Sequence, residues 1–170
     1  MSPSAFRDAF DHHVWASLRL FDRCADLTPG QLATAAPGTY GSILDTIRHI
    51  VAADASYLFV LTGGRVEPID EEEMELPELR SLVERYGEDW SELLAQDLDP
   101  EAILVRRRDD GSETHAPVGI RLAQAVHHGT DHRSQICTAL TSLGIEPPSI
   151  DVWSYGVEAG RSVERYPSAS

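Results

Sequence analysis

Residues 118–143 read VGIRLAQAVHHGTDHRSQICTALTSL, and this stretch decides which kind of fold the chain adopts. Apolar residues recur in it at steps of three and four, which is the spacing of one face of an α-helix. They are Leu122, Val126, Ile136, Leu140 and Leu143. Pro117 precedes the stretch and Gly144 follows it, and both are typical of helix ends. The stretch therefore predicts a long helix with one buried face.

Three earlier segments show the same spacing and predict three more helices. The first covers residues 4–27 and ends at Thr28-Pro29-Gly30. Residues 31–39 lack a sustained period and predict a connector. The second helix starts at Ser42, where Asp45 completes a capping-box-like pair, and runs to about Leu61. The third follows Pro77 and ends near Leu94.

Two smaller features complete the fold expected from the sequence. Residues 103–105 and 113–115 flank Asp109-Asp110-Gly111, which predicts a β-hairpin between helices three and four. We expect the tail, residues 145–160, to fold back as a short helical segment and the chain beyond Tyr166 to fray. The prediction is an all-α protein, an antiparallel four-helix bundle formed by residues 1–170 as a single domain.

Composition and charge limit the partners of this domain. Hydrophobic residues make up 42% of the 170 residues and the formal net charge is -14, so the chain is expected to be soluble and to repel nucleic acid and anionic lipid. No apolar run is long enough to span a membrane and no secretory pattern opens the chain, which predicts a cytoplasmic location. Cys24 and Cys137 fall at core positions and are expected to be buried thiols rather than a disulfide.

Two runs of like charge have more than one interpretation. The acidic cluster, residues 70–73, is interpreted as a solvated linker in preference to a metal site. The three arginines at 106–108 could form a phosphate site, but alternating exposure on an edge hairpin is favoured.

The fourth predicted helix carries His128 and His132, one turn apart at the edge of its buried face. At this spacing the β-carbons are about 6 Å apart, and two imidazoles can converge on one ion at about 2.1 Å. The pair alone is a weak motif, because packed histidines with ordinary hydrogen bonds also occur at this spacing. Gly129 lies between them, and a helical glycine costs about 1 kcal/mol relative to alanine, so we expect a close approach there.

A bound divalent ion requires at least a third protein ligand, and His49 in the second predicted helix is the best candidate. It lies on the flank of the apolar stripe, where an ordinary half-buried histidine is an equally good interpretation. The other histidines are weaker candidates. They are His12, His13, His115 and His127.

The segments GSILDTIRHIVAAD (residues 41–54) and HHGTDHRSQI (residues 127–136) resemble the DinB-like, or YfiT-like, family of metal-binding four-helix bundles. In that family one histidine comes from the second helix and two come from an H-x-x-x-H-R-x-Q motif in the last long helix. The matching residues are His49, His128, His132, Arg133 and Gln135, and the similarity includes Trp15 and the tail DVWSY. Asp131 and Ser134 depart from the pattern, since relatives often carry histidine and glycine there.

The resemblance implies a divalent metal ion, zinc or nickel, held by His49, His128 and His132. It also implies a low-molecular-weight-thiol-dependent S-transferase or a related hydrolase or isomerase, with mycothiol or bacillithiol as the small-molecule partner, and a homodimer. A non-catalytic metal-binding or stress-response protein with a structural ion is the alternative. Asp131 and Asp54 are weak candidates for a general base and could equally be structural, while Trp153 and Tyr155 could cover the pocket or only pack the tail.

Overall fold

The computed structural model describes residues 3–163 and residue 165, with side chains from Phe6 onward; the predicted fraying beyond Tyr166 lies outside these residues. Four long helices pack as a bundle. They are α1 (Pro3–Cys24), α3 (Ile43–Leu61), α4 (Leu76–Leu94) and α5 (Val118–Ser142), and a one-turn helix α2 (Pro29–Leu32) lies between the first two. Helix α1 packs against α4 and α5, and α3 packs against the same two, which closes the bundle. The predicted bundle is confirmed.

The helix starts follow local chemistry. Ser42 caps α3, and the predicted capping box with Asp45 is present. Helix α4 begins with a second capping box, between Glu75 and Glu78, and Pro77 lies in its first turn, where a missing N–H costs little.

Helix α2 was not predicted, because its four residues are too few to show a hydrophobic period. Thr28 and Gln31 form a complete capping box at its start, and this pair was the readable signal. Helix α1 correspondingly ends at Cys24 rather than near Leu27, although Leu27 is still buried.

The hairpin joins α4 to α5 as predicted. Strands β1 (Ile103–Arg107) and β2 (Glu113–Pro117) pair antiparallel, and Gly111 turns the chain with a φ of 81°. Residues of β1 alternate between exposed and half-buried as predicted, so Arg107 is exposed and Arg106 is half-buried.

The tail forms a short helix, α6 (Val152–Glu158), capped by the Asp151 side chain. Its Glu158 carboxylate accepts hydrogen bonds from Trp15 Nε1 and Arg19 on α1. Among residues 3–163, no helix combines the length and the apolar character that a bilayer span requires. Cys24 and Cys137 are both free thiols, the first buried in the core and the second only half-buried.

Candidate metal centre

Three histidine rings from two helices meet at one point of the bundle. His49 comes from α3, and His128 and His132 come from successive turns of α5. One ring nitrogen of each lies within 4.8 Å of those of the other two, and Nε2 of His49 and Nε2 of His128 are 3.0 Å apart. Ligands about 2.1 Å from a tetrahedral ion are about 3.4 Å from one another, so small ring movements would suffice to bind one.

Burial disfavours the charged form of two of these rings, His128 and His49. Desolvation, helped by repulsion from His132 and His49, lowers the pKa of His128 to about 4. Desolvation also lowers the pKa of His49. Neutral imidazole is the form that offers a lone pair to a metal, so the cluster is ready to bind an ion at neutral pH.

Gln135 fixes which nitrogen of His132 carries the proton. Its Oε1 accepts the backbone N–H of Tyr40 at 2.8 Å and lies 3.1 Å from Nδ1 of His132. Because a backbone N–H can only donate, the Gln135 atom is an oxygen, and Nδ1 of His132 must be the donor to it. Nε2 of His132 is therefore left free as an acceptor.

Tyr40 supplies the aromatic neighbour of the cluster from the connector before α3. Its ring stacks on His49 with centroids 4.1 Å apart and an interplanar angle of 14°, and it meets His132 edge-on at 5.4 Å. The Tyr40 side of the cluster borders a cavity of about 520 Å³ that His49 also lines. A small molecule can therefore approach His49 from this side.

A buried polar network joins α1, α3 and α5 close to the cluster. Nη1 of Arg133 donates to Nδ1 of His13 at 3.1 Å and to the hydroxyl of Ser17 at 3.1 Å. Arginine can only donate, so Nδ1 of His13 is the acceptor and Nε2–H donates to Asp54 Oδ2 at 2.8 Å. His13, Asp54 and Arg133 are each at most 2% exposed, and burial lowers the pKa of Arg133 only to about 10, so it stays charged at neutral pH.

Gly129 makes this network sterically possible. A β-carbon at this position would lie 2.3 Å from Cε1 and 2.7 Å from Nδ1 of His13, and 2.8 Å from Nη1 of Arg133. Only a residue without a side chain fits, which explains a helical glycine between the two α5 histidines and confirms the expected close approach.

Two buried polar atoms near the cluster lack partners among the described residues. They are Nδ1 of His128 and Oδ1 of Asp54. Buried polar atoms are normally satisfied, and a histidine that binds metal through Nε2 usually donates its Nδ1–H to a carboxylate or carbonyl. The donor set and these two atoms fit a metal ion bound at Nε2 of His128.

The chain matches the DinB family across residues 1–163. The chain belongs to the DinB family. A comparison with curated proteins found no match. In this DinB-family chain the residues of the H-x-x-x-H-R-x-Q motif all make contacts at or near the cluster: His128 lies beside His49, His132 donates to Gln135, and Arg133 donates to His13.

The remaining candidates from the sequence lie elsewhere or have structural contacts. Asp131 is exposed on α5, whereas Asp54 is buried against His13. Trp153 is 78% exposed, and Tyr155 packs on α1 against His12 and Trp15, which favours tail packing over a cover for the pocket. The histidines at 115 and 127 are exposed, and Nε2 of His12 lies 2.8 Å from the Ile150 carbonyl.

Sequence reasoning missed the roles of His13 and Tyr40. His13 falls in the apolar stripe of α1, and a polar residue at such a position is itself a signal of a buried hydrogen-bond network. Tyr40 lies in a connector without a period, and no pattern in the sequence places it on His49.

Proposed function

We propose that His49, His128 and His132 hold a divalent ion, zinc or nickel, and that the protein is a metal-dependent enzyme. The favoured activity is a low-molecular-weight-thiol-dependent S-transferase, or a related hydrolase or isomerase, acting with mycothiol or bacillithiol. The observation that carries the proposal is the convergence of three imidazoles at one point, one of which, His49, lines a cavity. Three histidine ligands with an open position are typical of catalytic rather than structural zinc.

The chain's own residues hold each ring in the form that the ion needs. Gln135 keeps the proton of His132 on Nδ1. Asp54 Oδ1 is the acceptor for Nδ1–H of His128 once that ring binds through Nε2, which satisfies both unpaired atoms. His13 then holds the other oxygen of the same carboxylate. Asp54 is thus a positioning residue and does not act as a general base.

When bound, an ion held by three neutral histidines lowers the pKa of a water molecule toward about 7 or takes an incoming thiol as thiolate. Either nucleophile would face the cavity on the Tyr40 side. Cys24 takes no part, because burial raises the pKa of its thiol to about 12.

Elemental analysis of untagged protein tests the metal centre. We expect about one equivalent of zinc or nickel per chain, lost in His128→Ala and kept in the matched control His127→Ala. His127 is the exposed neighbour of His128 and lies outside the cluster. A wild-type protein that neither contains nor takes up the ion would refute the proposal and leave a plain helical bundle.

Catalysis is tested separately by offering the metal-loaded protein mycothiol or bacillithiol with monochlorobimane as the electrophile. We expect conjugation by the wild type and His127→Ala, and only the uncatalysed rate with His128→Ala. Equal rates for all three would exclude this thiol transfer.

The alternative of a non-catalytic, stress-response metal protein is supported by the distribution of the three histidines over two helices, α3 and α5. An ion there would tie the two helices together and stabilise the bundle. It predicts a metal-dependent rise in the thermal midpoint with no conjugation above the rate without protein.

A further inference from the structure

The cavity beside the histidine cluster is polar and strongly charged. It has a volume of about 520 Å³ and is lined by parts of the α2–α3 connector, of α3 and of the acidic linker before α4. The lining side chains that matter here are Tyr40, Asp45, Arg48, His49, Glu71 and Glu72. A ligand that reaches the histidines from this side therefore passes three carboxylates and one guanidinium.

The charged side chains on the α3 side of the cavity are already paired with neighbouring residues. Nε of Arg48 donates to the Met74 carbonyl at 2.9 Å, and its other nitrogens lie 3.8 Å from Asp45 and 3.7 Å from Glu75. Asp45 also accepts the backbone N–H and the hydroxyl of Ser42 in the capping box. Arg48 is consequently neutralised by its own neighbours and is a poor site for an anionic ligand.

The two linker carboxylates are not compensated in this way. Neither Glu71 nor Glu72 forms an ion pair with any residue in the described part of the chain. Glu71 is half-buried and lines the same cavity as His49. The cavity thus presents excess negative charge next to the metal-binding histidines.

We propose that the site takes a small thiol bearing a protonated amine, with its sulfur toward the histidines and its ammonium group toward Glu71 and Glu72. The inference rests on the proposed metal centre and narrows its thiol substrate to one with a free, protonated amine, which excludes N-acylated thiols such as mycothiol. A carboxylate at the same place on the thiol would be repelled by the linker acids and would find Arg48 already paired.

Three thiols of similar size and different charge test this inference. They are cysteamine, 2-mercaptoethanol and 3-mercaptopropionate, which are cationic, neutral and anionic at neutral pH. Each is titrated into the protein loaded with cobalt(II), and binding is measured from the sulfur-to-cobalt charge-transfer absorption, which needs no turnover. The quantity compared is the ratio of the cysteamine and 3-mercaptopropionate affinities.

We expect this ratio to fall about tenfold when both acids are neutralised in the double variant Glu71→Gln/Glu72→Gln. Glu73→Gln is the matched control, because Glu73 is an exposed acid on the same linker that does not line the cavity. Differences in thiol acidity cancel when one ratio is compared between variants. Raising the salt from about 20 mM to about 500 mM should shrink the wild-type preference, because the screening length shortens several-fold.

The outcomes separate the two proposals. A protein that gives no cobalt spectrum refutes the metal centre and this inference with it. A cobalt spectrum with no thiol band from any of the three, or a ratio that the double variant and Glu73→Gln change equally, refutes the inference and leaves the metal centre standing.

Discussion

Gly129 is the position where one added methyl group tests the arrangement of the whole site. Gly129→Ala would place a β-carbon 2.3 Å from Cε1 of His13, in a ring that Asp54 and Arg133 hold from two sides. Neither the ring nor α5 can yield without breaking a buried hydrogen bond. The substitution therefore sets a gain in helix propensity against a clash inside the core.

The expected cost of the clash exceeds the gain in helix propensity. Alanine in place of glycine gains about 1 kcal/mol in a helix. Overpacking costs about 1–3 kcal/mol, and a buried hydrogen bond that involves a charged group contributes about 1.5–3 kcal/mol. We expect Gly129→Ala to lower the free energy of unfolding by about 2–4 kcal/mol.

Urea denaturation followed by far-ultraviolet circular dichroism measures this loss. Gly30→Ala is the matched control, because Gly30 also lies in a helix and nothing lies within 4 Å of an added β-carbon there. In a His13→Ala background the ring is gone, and Gly129→Ala should then cost much less, since the remaining close atom is Nη1 of Arg133. A Gly129→Ala protein as stable as the wild type would refute the reasoning.

Three further predictions concern the surroundings of the metal centre, the tail and the assembly. Asp54→Asn should weaken zinc binding by about 10–100-fold, measured by competition with a chelator, while Asp131→Asn, on the exposed side of α5, should leave it unchanged. Hydrogen bonds from Ser154 lower the pKa of Asp151, so the cap on α6 is present above the unfolded-state pKa of about 4 and is lost as pH falls further. Hydrogen-exchange protection factors in α6, taken relative to the intrinsic rate at each pH, should accordingly fall on acidification in the wild type and show no such step in Asp151→Asn. Light scattering should give a mass about twice the 18.7 kDa of the chain, and a monomeric mass would contradict the expected homodimer.

The bundle was predictable because its determinants are local. The apolar residues of α5 recur within the helix itself, and the capping pair Ser42 and Asp45 lies within four residues, so a single segment contains the evidence for its own structure. The short helix α2 could not be predicted in this way, because a single turn is too short to show a hydrophobic period.

The candidate site was only partly predictable because its contacts are long-range. The pairing of His13 with Asp54 spans 41 residues and that of His13 with Arg133 spans 120, and neither follows from spacing on one helix. Spacing brought forward His128 and His132, the position of His49 on the flank of the second helix's apolar stripe made it the best third candidate, and the resemblance then matched all three. Asp54 was considered as a general base because it follows His49 closely on the same helix, whereas its hydrogen bond to His13 on α1 could not be predicted from the sequence.

Helix α5 presents two adjacent faces with different neighbours. Together they explain the order of residues in the H-x-x-x-H-R-x-Q motif. His128, His132 and Gln135 face the cluster and the connector, whereas Gly129 and Arg133 face α1. Each residue of a helix is rotated by about 100° from the previous one, so consecutive positions such as 132 and 133 serve different neighbours. The face with Gly129 and Arg133 sets how closely α5 approaches α1. It thereby sets where His128 and His132 meet His49. Changes to the buried network should therefore appear as changes in metal affinity even though none of its members belongs to the histidine cluster.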